Sequence, residues 1–102
     1  MIYLKLHETD NGAIIAMCDQ DLIGRVLEGG DIVVNIRDYS SFYVGELIDP
    51  AAVDLLGEKV YSVNAIGEES VSLAIRNGIV DEANVRTIGG IPFAQSYTVP
   101  KK

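Results

Sequence analysis

The start of the chain has the pattern of a β-hairpin. Apolar Ile2, Leu4 and Leu6 alternate with polar or amphipathic residues, which is the period of a strand with one buried face. The dipeptide Asn11-Gly12 follows, and it is a strong signal for a two-residue turn because both turn residues need a positive φ. A second strand is therefore predicted over residues 13–18.

Two later segments have the features of short helices. Asp49-Pro50 is a favourable helix start because aspartate caps free amides and proline suits the first turn, and this helix is predicted to end at Leu56. Gly67 is the predicted N-cap of a second helix, which ends at Asn77-Gly78. Further strands are predicted at 32–36, 60–65, 85–88 and 91–99, and 22–28 is interpreted as a strand, with a helical turn as the alternative.

These elements predict an α+β fold. An N-terminal antiparallel β-hairpin or meander joins a mixed sheet, and the two short helices pack on one face of it. The segment from Val60 to Ile88 is long enough for a parallel strand–helix–strand crossover. Pro92 cannot donate to a sheet ladder, so the last strand is expected to begin at an edge, where a partner strand could add. We expect one compact domain over 1–102, with 98–102 as a frayed tail.

Composition narrows the class of protein. Apolar residues make up 48% of the 102 residues and charged residues 23%, as in ordinary globular domains. The longest apolar run, residues 13–18, is far shorter than the roughly 18 residues that span a bilayer. We therefore expect no membrane association. The one cysteine cannot form an internal disulfide, which fits a reducing compartment, so we expect a cytoplasmic protein.

The net charge of −7 disfavours direct binding of nucleic acid. Contact with phosphates requires clustered lysine and arginine side chains, and here the basic residues are scattered along the sequence. An RNA-contacting accessory protein stays an alternative only if folding assembles a basic patch, for example from Arg25, Arg37 and Arg86.

Cys18 is the first candidate for chemistry. Pairing through the Asn11-Gly12 turn places Lys5 directly opposite Cys18 and His7 diagonally next to it. A neighbouring ammonium or imidazolium lowers the pKa of a thiol and favours the nucleophilic thiolate, so a small thiol-dependent enzyme is one hypothesis. The simpler interpretation, which we favour, is that Cys18 is a small hydrophobic residue at the end of an apolar strand.

The sequence predicts neither a metal nor a cofactor. Asp19 and Asp21 resemble the first ligands of a calcium-binding EF-hand loop, but Ile23 occupies a ligand position and Gly30 stands where the closing glutamate belongs. We interpret both aspartates as solvated turn residues. The paired glycines complete no phosphate-binding motif.

Two segments favour an interaction surface instead. Phe42, Tyr43 and Glu46 fall in a predicted loop, and Phe93 and Gln95 share one face of the last predicted strand. An apolar patch on a small acidic protein usually marks a binding surface, so these five residues are the predicted partner-binding set. The alternative is that the aromatic side chains of the loop cap the open end of the core.

Four segments of the chain, in this order, resemble a known family. They are CDQDLIG at 18–24, FYVGE at 42–46, AIRNGIVD at 74–81 and IPFAQ at 91–95. Together they resemble the small archaeal proteins grouped as domain-of-unknown-function family 424, over nearly the whole chain. The resemblance implies an archaeal cytosolic protein without an established activity. Members more often carry a histidine where this chain has Phe93, so it also implies that any catalytic or metal-binding role of that histidine is absent here.

We therefore expect a non-catalytic protein–protein interaction module. Its partner is expected to be a protein, such as the protein component of a translation-type assembly. The missing catalytic constellation, the acidic composition and the aromatic loop are the observations that favour this class over the enzyme and RNA-binding alternatives.

Overall fold

The computed structural model describes residues 1–10, 12–38, 40–49, 51 and 60–97. Within this part the chain forms ten regular elements, together with short 3-10 turns at Gln20–Leu22 and Glu82–Asn84. In chain order the elements are β1 (Ile2–Thr9), β2 (Gly12–Asp19), β3 (Val26–Gly29), β4 (Ile32–Asn35), α1 (Ser40–Tyr43), β5 (Glu46–Ile48), β6 (Val60–Ile66), α2 (Glu68–Arg76), β7 (Arg86–Ile88) and β8 (Ile91–Tyr97).

Six of the strands form one mixed sheet, so the predicted α+β class with a mixed sheet is confirmed. The strand order is β5-β1-β2-β6-β8-β7, and β3 and β4 form a separate two-stranded sheet. In the large sheet β2 and β6 are parallel, and the other neighbouring pairs are antiparallel. Strands β6 and β7 run in the same direction, as a parallel crossover requires, but β8 lies between them.

The register of the N-terminal hairpin differs from the prediction by two residues. Thr9 pairs with Gly12, whereas the predicted turn pairs Asp10 with Ala13. The observed register lets the Thr9 hydroxyl donate to the Gly12 carbonyl at 2.7 Å, and it carries fully buried Ile2 to a position opposite Asp19. A shift of two residues leaves every side chain on its predicted face.

The expectation that the last strand begins at a sheet edge is wrong, because β8 lies between β6 and β7. The Pro92 carbonyl accepts a hydrogen bond from the Gly67 amide at 2.8 Å, just beyond the end of β6. The amide proton that proline lacks would point the same way, towards the Gly67 carbonyl. That carbonyl already accepts from the Val71 amide at 2.9 Å, so proline costs no ladder bond here.

Both faces of the large sheet are covered. On one face α2 packs on a core that includes Ile15, Met17 and Val63. On the other face α1 and the β3–β4 hairpin cover a second core that includes Cys18 and Ile66. The two described helices therefore lie on opposite faces.

Two predicted features fall outside the described residues. Two helices are predicted to share one face of the sheet, and the second of them is α2. Nearly all of the first, at 49–56, lies outside the described residues, and so does the predicted tail at 98–102. None of the helices in the described part is long and apolar enough to cross a membrane.

Candidate functional site

Lys5 and His7, predicted as helpers of a reactive thiol, hold helix α1 instead. The Lys5 ammonium donates to the Ser41 carbonyl at 2.8 Å, and His7 Nε2 lies 3.0 Å from the Phe42 carbonyl, to which it donates. The His7 ring also stacks on the Phe42 ring, with centroids 4.5 Å apart. A four-residue helix is too short to be stable alone, so these contacts from β1 fix its position.

The two aromatic residues of α1 are placed differently. Tyr43 is 8% exposed and belongs to the second core, whereas Phe42 is half-buried and packs against that core. Their rings meet edge to face with centroids 5.0 Å apart, the arrangement that the ring quadrupoles favour. Tyr43 therefore lies in the core, whereas Phe42 keeps part of its ring at the surface.

Residues that are far apart in the sequence surround one groove on this face. The groove has a volume of about 410 Å³. We call it the aromatic groove and define it by Val33, Val34 and Asn35 of β4, Phe42 and Tyr43 of α1, and Gln95 of β8. Three of the five predicted partner-binding residues, from two separate segments, therefore come together.

Strand β4 forms one wall of the aromatic groove with an unpaired edge. Among the described residues β4 pairs only with β3. Gly29 and Ile32 flank a two-residue turn, and such a flanking pair exchanges hydrogen bonds, after which the pairs alternate. The backbone groups of Val33 and Asn35 therefore point away from β3. The Val33 side chain is 60% exposed.

The other two predicted partner-binding residues lie apart from the groove. Glu46 is exposed and pairs with Leu4, so its side chain points to the face that α2 covers. Phe93 packs partly against the second core and lines a separate depression of about 370 Å³. We call this depression the edge pocket and define it by Ala83, Asn84, Arg86, Phe93, Ala94 and Gln95.

Cys18 is fully buried in the second core. The observed register places Tyr3 opposite Cys18 and Lys5 opposite Ala16, so the predicted Lys5–Cys18 pair is wrong. Burial, with smaller contributions from the charges of Asp19 and Asp21, raises the pKa of the thiol to about 12. The group is therefore a protonated, inaccessible thiol at neutral pH.

The interpretation of Asp19 as a solvated turn residue is also wrong. Asp19 is 8% exposed, and its carboxylate accepts hydrogen bonds from the amides of Ser70 at 2.8 Å and Glu69 at 3.1 Å. It caps α2 from another strand, because the N-cap residue Gly67 has no side chain to do so. In the part of the chain that the structure describes, no three His, Cys, Asp or Glu side chains form a group that could hold a metal ion.

The three arginines of the RNA alternative are all exposed. The Arg37 amide donates to the Arg25 carbonyl at 3.1 Å, which places these two residues side by side. The Arg37 side chain lies 3.5 Å from the Asp38 carboxylate, so its charge is partly balanced. Arg86 lines the edge pocket on β7.

The groove residues that sequence reasoning missed are Val33, Val34 and Asn35 of β4. Their signal is the β-branched run at 32–34, which by itself predicts only a strand. Such a run does not tell which face is buried, because that depends on the packing of the hairpin on the large sheet.

Comparison with known proteins identifies the family. The profile of the family described as "Protein of unknown function (DUF424)" matches residues 7–99, so the chain belongs to this family. One similar solved structure is described as "Crystal structure of an uncharacterized conserved protein from Methanopyrus kandleri". It is 28% identical, with a TM-score of 0.75 over 99% of this chain and 94% of that one. No protein with a curated description matches. The resemblance noted from the sequence is thereby confirmed.

Proposed function

We propose that the protein is a non-catalytic interaction module that binds a partner protein in the aromatic groove. The observation that carries the proposal is the convergence of β4, α1 and Gln95 around one exposed, mainly apolar depression. Exposed apolar surface with a polar rim is typical of protein-binding sites.

The chemistry of the groove suits a polypeptide ligand. Its lining includes no carboxylate, ammonium, imidazole, guanidinium or thiol. The outward backbone groups of Val33 and Asn35 can bind the main chain of an extended segment, while the Phe42 ring offers an apolar contact to its side chains. The same absence of charged groups in the groove lining gives no support there to phosphate binding or acid–base catalysis.

The two alternatives have weaker support. A thiol-dependent enzyme needs an accessible thiolate, and Cys18 is fully buried with a raised pKa. RNA binding needs several convergent cations, whereas Arg37 lies beside Asp38.

Substitution at Val33 tests the proposal. Val33→Lys places a charge in the groove at a side chain that is 60% exposed, so the fold should remain intact. Immobilised wild-type protein should capture a specific partner from a lysate of the source organism, and the Val33→Lys variant should recover at least about tenfold less of it.

Leu6→Lys is the matched control, because Leu6 is also exposed, at 39%, but lies on the opposite face of the sheet. Equal recovery by wild type and both variants would contradict the proposal. Mass spectrometry of the captured protein also tests the narrower proposal that the partner is the protein component of a translation-type assembly.

A further inference from the structure

Strand β8 extends beyond the strand that covers its outer edge. Strand β7 pairs only with residues 91–93 of β8, whereas β6 pairs with residues 93–97 on the other side. The Pro92 carbonyl points to the β6 side, and the direction alternates along a strand. The amide and carbonyl of Gln95 therefore point outwards, where no described strand pairs with them.

The edge pocket lies along this uncovered edge and contains one cation. Arg86 and Asn84 line it, beside Gln95. The Arg86 guanidinium forms no ion pair with any described residue. Asp81 and Glu82 belong to the same loop but are not part of the lining, and the Asp81 carboxylate accepts from the Ala83 amide at 3.0 Å.

The position of Arg86 defines the direction of an added strand. A strand placed in line with β7 and antiparallel to β8 runs towards Arg86, the first residue of β7. Arg86 pairs with Phe93, and Asn84 lines the same pocket as Gln95, so this edge of β8 is already occupied beyond Gln95. The added strand therefore has to end or turn away opposite Gln95. A parallel strand would instead bring its amino terminus to the guanidinium, where like charges repel.

We propose that the edge pocket binds the free carboxyl terminus of a partner protein. The last residues of the partner form an antiparallel strand along residues 95–97 of β8, and the terminal carboxylate is held by the Arg86 guanidinium and the Asn84 amide. This inference rests on the proposed function, since Gln95 lines both the edge pocket and the aromatic groove.

Peptides with and without a terminal carboxylate test the assignment. A library of nonapeptides is immobilised through the amino terminus, and each sequence is made both with a free carboxyl terminus and as the amide. Binders should come from the free-acid set, and amidation should weaken each by at least about tenfold. The Arg86→Gln variant should bind both forms equally weakly. Absence of binders from the free-acid set, or equal binding of acids and amides by wild type, would overturn the inference.

Two substitutions of Gln95 separate backbone pairing from side-chain contact. Gln95→Pro removes the outward amide proton without removing a donor of the β6 ladder, so it should abolish peptide binding. Gln95→Ala keeps that proton and should bind the free-acid peptides within about threefold of wild type. If Gln95→Pro is unfolded by circular dichroism, the exposed Arg86→Gln variant decides alone. Peptide binding that survives Arg86→Gln, with partner capture still lost in Val33→Lys, would overturn this inference and leave the proposed function standing.

Discussion

Cys18 illustrates how the second core determines the chemistry of one residue. The side chains of Cys18 and Met17 point to opposite faces of the sheet, as expected from the alternation in β2. That face is covered by Leu27, Ile36 and Tyr43, which arrive from elements later in the chain. The thiol is thereby removed from water, and its neutral form is favoured.

The raised pKa of Cys18 predicts a specific loss of stability at high pH. The pKa is about 12 in the folded protein, against an ordinary value of 9.0. Between these values the unfolded chain loses the proton and the folded chain keeps it, so the free energy of unfolding falls as pH rises, by up to about 1.4 kcal/mol per pH unit. Below pH 9 this group contributes no pH dependence.

Urea unfolding of wild type and Cys18→Ala at several pH values between 8 and 11 measures this effect. Tyrosine and lysine titrate in both proteins, so the difference between the two curves isolates Cys18. The stability advantage of wild type should shrink above pH 9. Parallel curves over the whole range would show that the thiol ionises equally in the folded and unfolded states.

At the scale of elements, the junction between β6 and α2 joins three parts of the chain. Gly67 ends the strand and begins the helix with φ +107°. A side chain at this position would meet the carboxyl group of Asp19, which holds the first free amides of α2. The Asp19 carboxylate can cap α2 only because position 67 has no side chain, and Gly67 leaves the capping of the helix to Asp19.

Replacing Gly67 should therefore cost far more than replacing another glycine with a positive φ. Gly67→Ala combines an unfavourable φ with displacement of the Asp19 cap, and we expect a loss of about 3 kcal/mol or more. Gly78, at the other end of α2, has φ +74° and nothing within 4 Å of an added methyl group. Gly78→Ala should cost only about 1 kcal/mol. Denaturant unfolding measures the free energy of unfolding of both variants. Equal losses would mean that Asp19 moves aside without any cost in stability.

Local sequence signals account for α2 but not for its cap. The predicted start at Gly67 and end at Asn77-Gly78 match the helix, and the Ile79 amide bonds back to the Ala74 carbonyl at 3.1 Å as a terminating glycine permits. Asp19, in contrast, is 51 residues away from the Ser70 amide that it binds. A role of this kind depends on strand pairing, which no local pattern contains.

The same difference between local sequence signals and long-range strand pairing decides which parts of the candidate site could be predicted. The aromatic residues of α1 could be selected from the sequence, because an apolar patch in a predicted loop of a small acidic protein usually marks a binding surface. Their grouping with Gln95 depends on the sheet order, and their grouping with Val33 depends on how the β3–β4 hairpin lies on the sheet. The hairpin register was also missed by two residues, because two neighbouring turn positions satisfy the same alternation.

At the scale of the whole molecule, the two faces of the large sheet are covered by different kinds of structure. One face is packed against α2 of nine residues. The other face is covered by a four-residue helix and a two-stranded sheet with four residues in each strand. The uninterrupted apolar run at 13–18 already indicates burial on both faces, but the covering elements come from distant parts of the chain.

This asymmetry predicts that the layer around the aromatic groove opens separately from the rest of the fold. The central strands β2 and β6 have hydrogen-bonded neighbours on both sides and cores on both faces. The hairpin β3–β4 has one hydrogen-bonded neighbour per strand in the described structure and exposes Ile32 and Val33. An isolated hairpin is marginal in water, so local opening should release it without unfolding the sheet.

Native-state hydrogen exchange followed by nuclear magnetic resonance measures this difference directly. The amides of Val63 and Ala65 in β6 should exchange only through global unfolding, with rates that follow the denaturant dependence of the whole protein. The amide of Val34, which bonds to β3, should exchange at least about a hundredfold faster and with little denaturant dependence. Equal protection at Val34 and Val63 would mean that the hairpin and the sheet unfold as one unit. Faster exchange at Val34 would instead show that one wall of the aromatic groove moves independently. A bound partner strand should then slow the exchange of the Val34 amide and leave that of Val63 limited by global unfolding.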